Sequence, residues 1–167
     1  KVYLSENLEK VGYESFNSNK IKTINIPASL KEIDTRAFST NKISEIDLPT
    51  KLIKLGEGAF RNNDITELVV PGNIKQIDNR AFIQNKITNL TLKEGIEKID
   101  DYAFSTNELT ELEIPQSVKV LGSNTFKGNK INKLKLQEGL KQIGSSAFRE
   151  NDLTEVTIPE TVSEIGS

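Results

Sequence analysis

One recurrence limits what this chain can fold into. All seven phenylalanines fall 22 residues apart, at Phe16, Phe38, Phe60, Phe82, Phe104, Phe126 and Phe148. Three residues after each stands an asparagine: Asn19, Asn41, Asn63, Asn85, Asn107, Asn129 and Asn151. The five prolines share another register, at Pro27, Pro49, Pro71, Pro115 and Pro159, with Lys93 and Gln137 filling its two gaps. A fixed period of this length means one small unit repeated along an axis, each unit hiding its apolar side only against its neighbours.

The unit beginning at Asn41 reads NKISEIDLPTKLIKLGEGAFRN. Within it Ile46-Asp47-Leu48 alternates apolar and polar, as a strand with one buried face does. Equivalent triplets are Val2-Tyr3-Leu4, Ile24-Asn25-Ile26, Leu68-Val69-Val70, Leu90-Thr91-Leu92, Leu112-Glu113-Ile114, Leu134-Lys135-Leu136 and Val156-Thr157-Ile158, which predicts eight strands, one per coil. Strands returning through identical connections must run parallel and stack in order. At about 4.8 Å per strand the sheet would be on the order of 35 Å long. Proline just after each strand closes the ladder without taking a donor from its middle. A second apolar pair, such as Leu52 and Leu55, carries the chain along the opposite wall. The Gly or Asp that follows (Asp34, Gly56, Asp78, Asp100, Gly122, Gly144) suits a turn or the cap of a short helical turn ending at Ala-Phe. The Phe column reads as the spine of the core. The Asn column reads as an internal ladder that satisfies turn backbone beyond the reach of water.

The pattern Asn-x-Ile-x-x-Ile-x-Ile-Pro, followed by x-x-Leu-x-x-Ile-Gly-x-x-Ala-Phe, resembles the BspA-type leucine-rich repeats over essentially the whole chain. Thr110-Glu111-Leu112-Glu113-Ile114-Pro115-Gln116-Ser117-Val118 is the stretch nearest that pattern. The resemblance implies a leucine-rich-repeat solenoid: eight stacked coils of 22 residues, with a parallel β-sheet on one face and short strands or helical turns on the other. Copies in that family commonly run one residue longer and often carry Cys where this chain has Asn, a departure that suggests a Gram-positive surface-protein variant. The resemblance further implies a bacterial protein, secreted or on the cell surface, whose repeats bind host or cell-surface proteins or glycans. Because the chain starts inside a strand unit at Val2 and stops midway through another after Glu164-Ile165-Gly166, the expectation is a single repeat domain over residues 1–167, a fragment of a longer multidomain protein. The runner-up is a passive spacer that presents a neighbouring domain, for example a haem- or wall-binding one.

Composition narrows the chemistry. The chain has no Cys, His, Met or Trp. That removes zinc sites of the usual spacing, a thiol nucleophile and a Ser-His-Asp relay. Asp100-Asp101 is the one adjacent acid pair of catalytic interest, and it sits at the turn position. No glycine-rich phosphate loop appears. The expectation is a non-enzyme with no cofactor and no metal. A net charge of −2 with mixed signs argues against a nucleic-acid partner. No apolar run approaches the roughly 20 residues that span a bilayer, so no direct membrane insertion is expected. The array is expected to be monomeric.

Function is then expected at the positions that vary between copies. On the sheet face these are Tyr3, Thr23, Asn25, Glu45, Asp47, Glu67, Val69, Asn89, Thr91, Glu111, Glu113, Lys133, Lys135, Glu155 and Thr157. Glu45, Asp47 and Glu67 form an acidic patch that reads first as a plain solvated face, and otherwise as part of a surface that receives a basic or hydroxyl-rich partner. Glu111 and Glu113 lie one coil from Lys133 and Lys135, where cross-strand pairing can offset their charge. The opposite wall carries Lys10, Lys31, Lys54, Lys75, Lys98, Lys119 and Lys141. Such a row could hold polyanions, but it reads better as a guard against edge pairing, diluted by Glu32, Glu97 and Gln142.

Overall fold

The structure is a computed structural model that describes residues 1–167. Its chain winds as a solenoid with three walls per turn. The first wall holds β1 (Val2–Tyr3), β3 (Ile24–Asn25), β6 (Glu67–Val70), β8 (Asn89–Leu92), β10 (Glu111–Ile114) and β12 (Lys133–Leu136). The second holds β2 (Lys10–Val11), β4 (Glu32–Ile33), β5 (Lys54–Leu55), β7 (Gln76–Ile77), β9 (Lys98–Ile99), β11 (Val120–Leu121), β13 (Gln142–Ile143) and β14 (Glu164–Ile165). The third wall is the turn that carries Ala-Phe. All strand pairs are parallel, and partners in neighbouring coils are 22 residues apart, as in Leu68 opposite Leu90.

There are about seven turns rather than the eight coils expected, because only seven passes carry a Phe and the last contributes β14 alone to the sheets. The order of continuity is also the reverse of expectation. The second wall forms ladders of three strands (β2-β4-β5) and five (β7-β9-β11-β13-β14), while the first wall breaks into the pairs β1-β3, β6-β8 and β10-β12. Ile46-Asp47-Leu48, expected as a strand, is reduced to a single bridge from Glu45 to Thr23. Val156-Thr157-Ile158 is unpaired.

The breaks track the proline register. The two four-residue pairings, β6-β8 and β10-β12, are those whose later strand is followed by Lys93 or Gln137 instead of proline. Lys93 N–H donates to the Val70 carbonyl at 3.0 Å. Pro27, Pro49, Pro71, Pro115 and Pro159 have no such donor to offer the coil before them. The ladder to the preceding coil is thus short wherever proline follows the later strand, although only Lys93, and not Gln137, makes the extra bond.

The third wall is not helical. Its turns close through bonds such as Ala37 N–H to the Asp34 carbonyl (3.2 Å), and they place two residues per turn at positive φ, for example Arg36 (53°) and Thr40 (55°). Alternate amides then point along the axis, as when Phe38 N–H reaches the Ala59 carbonyl at 2.9 Å. This wall is bonded from coil to coil without interruption.

The core is one continuous cluster of 36 buried residues. Phe38, Phe60, Phe82, Phe104 and Phe126 have no exposed surface, and neighbouring rings stack at 5.3–5.8 Å with interplanar angles of 1–13°. That spacing exceeds the roughly 4.8 Å rise between coils, as laterally offset rings require, and falls within the favourable range for them. Beside them runs the asparagine ladder. Asn85 Nδ2 donates to the Phe60 carbonyl of the preceding coil (2.9 Å) and to its own Phe82 carbonyl (3.1 Å), and its Oδ1 accepts the buried Ile65 N–H (3.2 Å). Asn41, Asn63, Asn107 and Asn129 repeat the arrangement. No buried side-chain polar atom is left without a partner.

Candidate functional site

The first wall presents the expected columns to solvent. Tyr3, Thr23, Glu45, Asp47, Glu67, Val69, Asn89, Thr91, Glu111, Glu113, Lys133, Lys135, Glu155 and Thr157 are all exposed. Asn25 differs: it is half-buried, its Oδ1 accepting the Leu4 N–H at 2.9 Å while its amide reaches the Leu4 carbonyl. Its side chain holds the preceding coil together. Tyr3 lies at one end with the Lys1 ammonium 4.7 Å from its ring centre, and Glu155 and Thr157 lie at the other, on the unpaired segment.

Two shallow depressions shape this face. One, of about 760 Å³, is lined by Glu111, Glu113, Lys133, Lys135, Glu155 and Thr157 over a floor of Leu90, Leu112 and Leu134. The other, of about 830 Å³, gathers Thr23, Glu45, Asp47, Glu67, Val69 and Lys93. Lys93 escaped the sequence reading because it stands in the proline register, outside the strand triplets; the gap in that register was the available signal.

The two depressions differ in charge. In the first, the register places Glu111 opposite Lys133 and Glu113 opposite Lys135. The ion pairs close at 2.6 and 2.8 Å. The hydrogen bond from Lys135, then one from Gln137, holds the Glu113 carboxyl below its ordinary pKa, and the hydrogen bond to Glu111 raises that of Lys133. These groups are solvent-exposed, so the pairs add little to stability, but they cancel the local field. In the second depression Glu45, Asp47 and Glu67 have no cation within 4.0 Å. Glu67 accepts only a hydrogen bond from Asn89, at 3.4 Å.

On the second wall five of the seven lysines lie within 4.0 Å of an acid. Lys10 meets Glu32 at 3.2 Å, Lys31 meets Glu9 at 2.8 Å, and Lys98 meets Asp100 at 2.7 Å. Lys54 lies 3.9 Å from Asp34, and Lys75 lies 3.8 Å from Glu97. Lys119 and Lys141, at the end of the row, have no acidic partner, so neutralisation covers only its first five lysines. The acid pair at the turn is also engaged within the fold: Asp100 accepts from Gln76 (2.5 Å) and Asp101 from the Ser123 N–H (2.7 Å). No cluster of acidic side chains is arranged to hold a metal ion. No helix is long and apolar enough to cross a membrane.

The same coil is built by other proteins. The pneumococcal vaccine antigen PcpA superposes with a TM-score of 0.65 at 20% identity, over 96% of this chain and 64% of that one. A leucine-rich repeat protein from Eubacterium ventriosum gives a TM-score of 0.58 at 22% identity, over 98% and 55% of the two chains. A leucine-rich cell surface protein from Faecalibacterium prausnitzii gives 0.57 at 18%, over 96% and 61%. This chain thus spans somewhat over half the length of each, and at these identities the likeness concerns the fold alone. No curated protein is similar enough to count as a relative. The family model described as the BspA type leucine rich repeat region matches residues 1–87 and 62–167, in six copies. With the repeat, the Phe and Asn columns and this match in agreement, the chain belongs to the BspA-type leucine-rich-repeat family.

Proposed function

We propose that the chain is an extracellular protein-binding or adhesion module of a bacterial surface protein, and that it engages its partner with the exposed face of the first wall. One observation carries this reading. The inward columns repeat coil after coil, while the outward columns of this face change from Glu to Asn to Lys and line two open depressions. Repeat scaffolds use such extended faces for recognition, and the fold itself supplies no catalytic chemistry. A bacterial surface setting is supported by the pneumococcal antigen and the cell surface protein that share the coil. The module is read as one domain of a longer, monomeric multidomain protein, with a host or cell-surface protein or glycan as its partner.

Capture of extracellular-matrix proteins and glycan-array probing with the purified chain test this. Asn89→Arg combined with Thr91→Arg, placed in the middle of the face, should abolish capture while leaving the thermal transition in place. Clean failure of the wild-type chain against both panels would instead favour a passive spacer. That second reading has its own observation: the half of the face built from Glu111, Glu113, Lys133 and Lys135 neutralises itself, as a non-binding surface would.

A further inference from the structure

Resting on that reading of the first wall, we propose that the depression between Thr23 and Val69 docks an extended, cationic protein segment, whose lysine or arginine heads meet Glu45, Asp47 and Glu67 and whose aliphatic parts lie on Val69. Four features of the face converge here. The depression is open and about 830 Å³ in volume, room for several side chains of a strand-like segment. Glu45 and Glu67 occupy one register on adjacent coils, and Asp47 and Val69 occupy the next outward one. Successive coils lie about 4.8 Å apart, and outward residues on one strand about 6.6 Å. The three acids thus occupy neighbouring outward positions on two adjacent coils, with the aliphatic Val69 at the fourth. Val69 is 51% exposed, between Asp47 and Thr91 in the same outward column.

Charge complementarity selects the occupant. Elsewhere on the face each outward Glu of β10 closes onto a Lys of β12, whereas these three acids are left facing solvent and one another. Like charges opposed across neighbouring strands cost stability, so a cation that enters relieves a repulsion as well as forming new pairs. Lys93 lines the far rim and Glu94 beside it is held by the Gln116 and Ser117 amides. Lys93 thus limits how far a cationic segment extends toward β8. Mixed ionic and aliphatic contact suits a protein segment with long cationic stems better than a neutral glycan.

The test uses fluorescein-labelled octalysine as the probe, with anisotropy measured at low and at physiological salt. Glu45→Gln, Asp47→Asn and Glu67→Gln together should weaken binding at least about tenfold, and a control that removes as much charge from the opposite wall (Glu9→Gln, Glu97→Gln, Glu164→Gln) should change it less than about threefold. Val69→Ser should weaken it about threefold, since only part of one valine is newly covered. Equal weakening by the two triple variants, or no saturable binding by the wild type, would overturn the proposal. The triple variants are also run in the matrix-capture assay. Capture that survives loss of the three acids but is lost in Asn89→Arg/Thr91→Arg overturns the cationic partner and leaves the binding module standing. Capture unaffected by every variant overturns both.

Discussion

Asn85→Ala is the most informative single change in the spine. Asn85 is 7% exposed, and its carboxamide makes three bonds. Truncation strands the Ile65 N–H, in a residue with no exposed surface, and a buried orphan donor costs about 1–3 kcal/mol. The two carbonyls suffer less, because each keeps another donor: Phe60 from Asn63 at 3.2 Å, and Phe82 from Asn107 at 3.0 Å. Losing one of two bonds at each adds about 0.5–1 kcal/mol apiece. The expected total is about 2–5 kcal/mol, a large share of the stability of an ordinary domain. Asn19→Ala is the matched control. Its Oδ1 accepts no backbone N–H, and its amide bonds, at 3.2 and 3.1 Å, are exposed, so the loss should stay below about 1 kcal/mol. Urea unfolding of both variants measures the difference, and amide hydrogen exchange at Ile65 locates it. If Asn85→Ala costs no more than Asn19→Ala, or Ile65 exchange is unchanged, the ladder is not what satisfies the coil.

Three further outcomes are expected. Phe82→Ala should lose about 3–5 kcal/mol from cavity formation, and a double-mutant cycle with Phe104, whose ring lies 5.4 Å away, should give a coupling of about 0.5–1.5 kcal/mol by chemical denaturation. Thr106 is exposed with φ 57°, and Gly128 holds the same register one coil later at φ 68°; Thr106→Gly should therefore stabilise the fold slightly, by less than about 1 kcal/mol, seen as a small rise in the thermal midpoint. Asp78 has its pKa raised, first by burial and then by the Asp100 charge. Its folded value exceeds its unfolded one, so its favourable contribution is complete below the ordinary carboxylate range and is lost as pH rises through the raised value. Asp78→Asn should melt above wild type at pH 7, and the gap should close in acid.

What could be read in the sequence follows from what repeats. Phe, Asn and Pro columns depend only on period, and the period survives any detail of backbone path. Inward and outward positions followed from alternation, and the Glu111–Lys133 and Glu113–Lys135 pairs from simple register. Ladder continuity was less accessible. Ile46-Asp47-Leu48 has the same alternation as Leu68-Val69-Val70, yet only the second enters a full strand, because pairing depends on the donor that the next coil supplies at position 93. The positive-φ residues were also missed. Arg36, Thr40, Tyr102 and Thr106 are not types that announce a left-handed backbone, and only Gly58 and Gly128 in the same registers hinted at it. Asn25 looked like its exposed column mates, but a short amide beside the Leu4 backbone turned inward.

The asparagine ladder also gives the array a direction. Each Asn amide closes the coil in front of it, reaching a carbonyl 25 residues back and sheltering an amide 20 residues back. Injury at one coil is therefore expressed in its predecessor, and the successor keeps its own closure. A copied unit of 22 residues inserted at any point brings the group its predecessor needs and receives from its successor the group it needs itself. Such a chain can lengthen or shorten by whole units without a new kind of joint, whereas a slip of a single residue would break amide, ring and proline registers together.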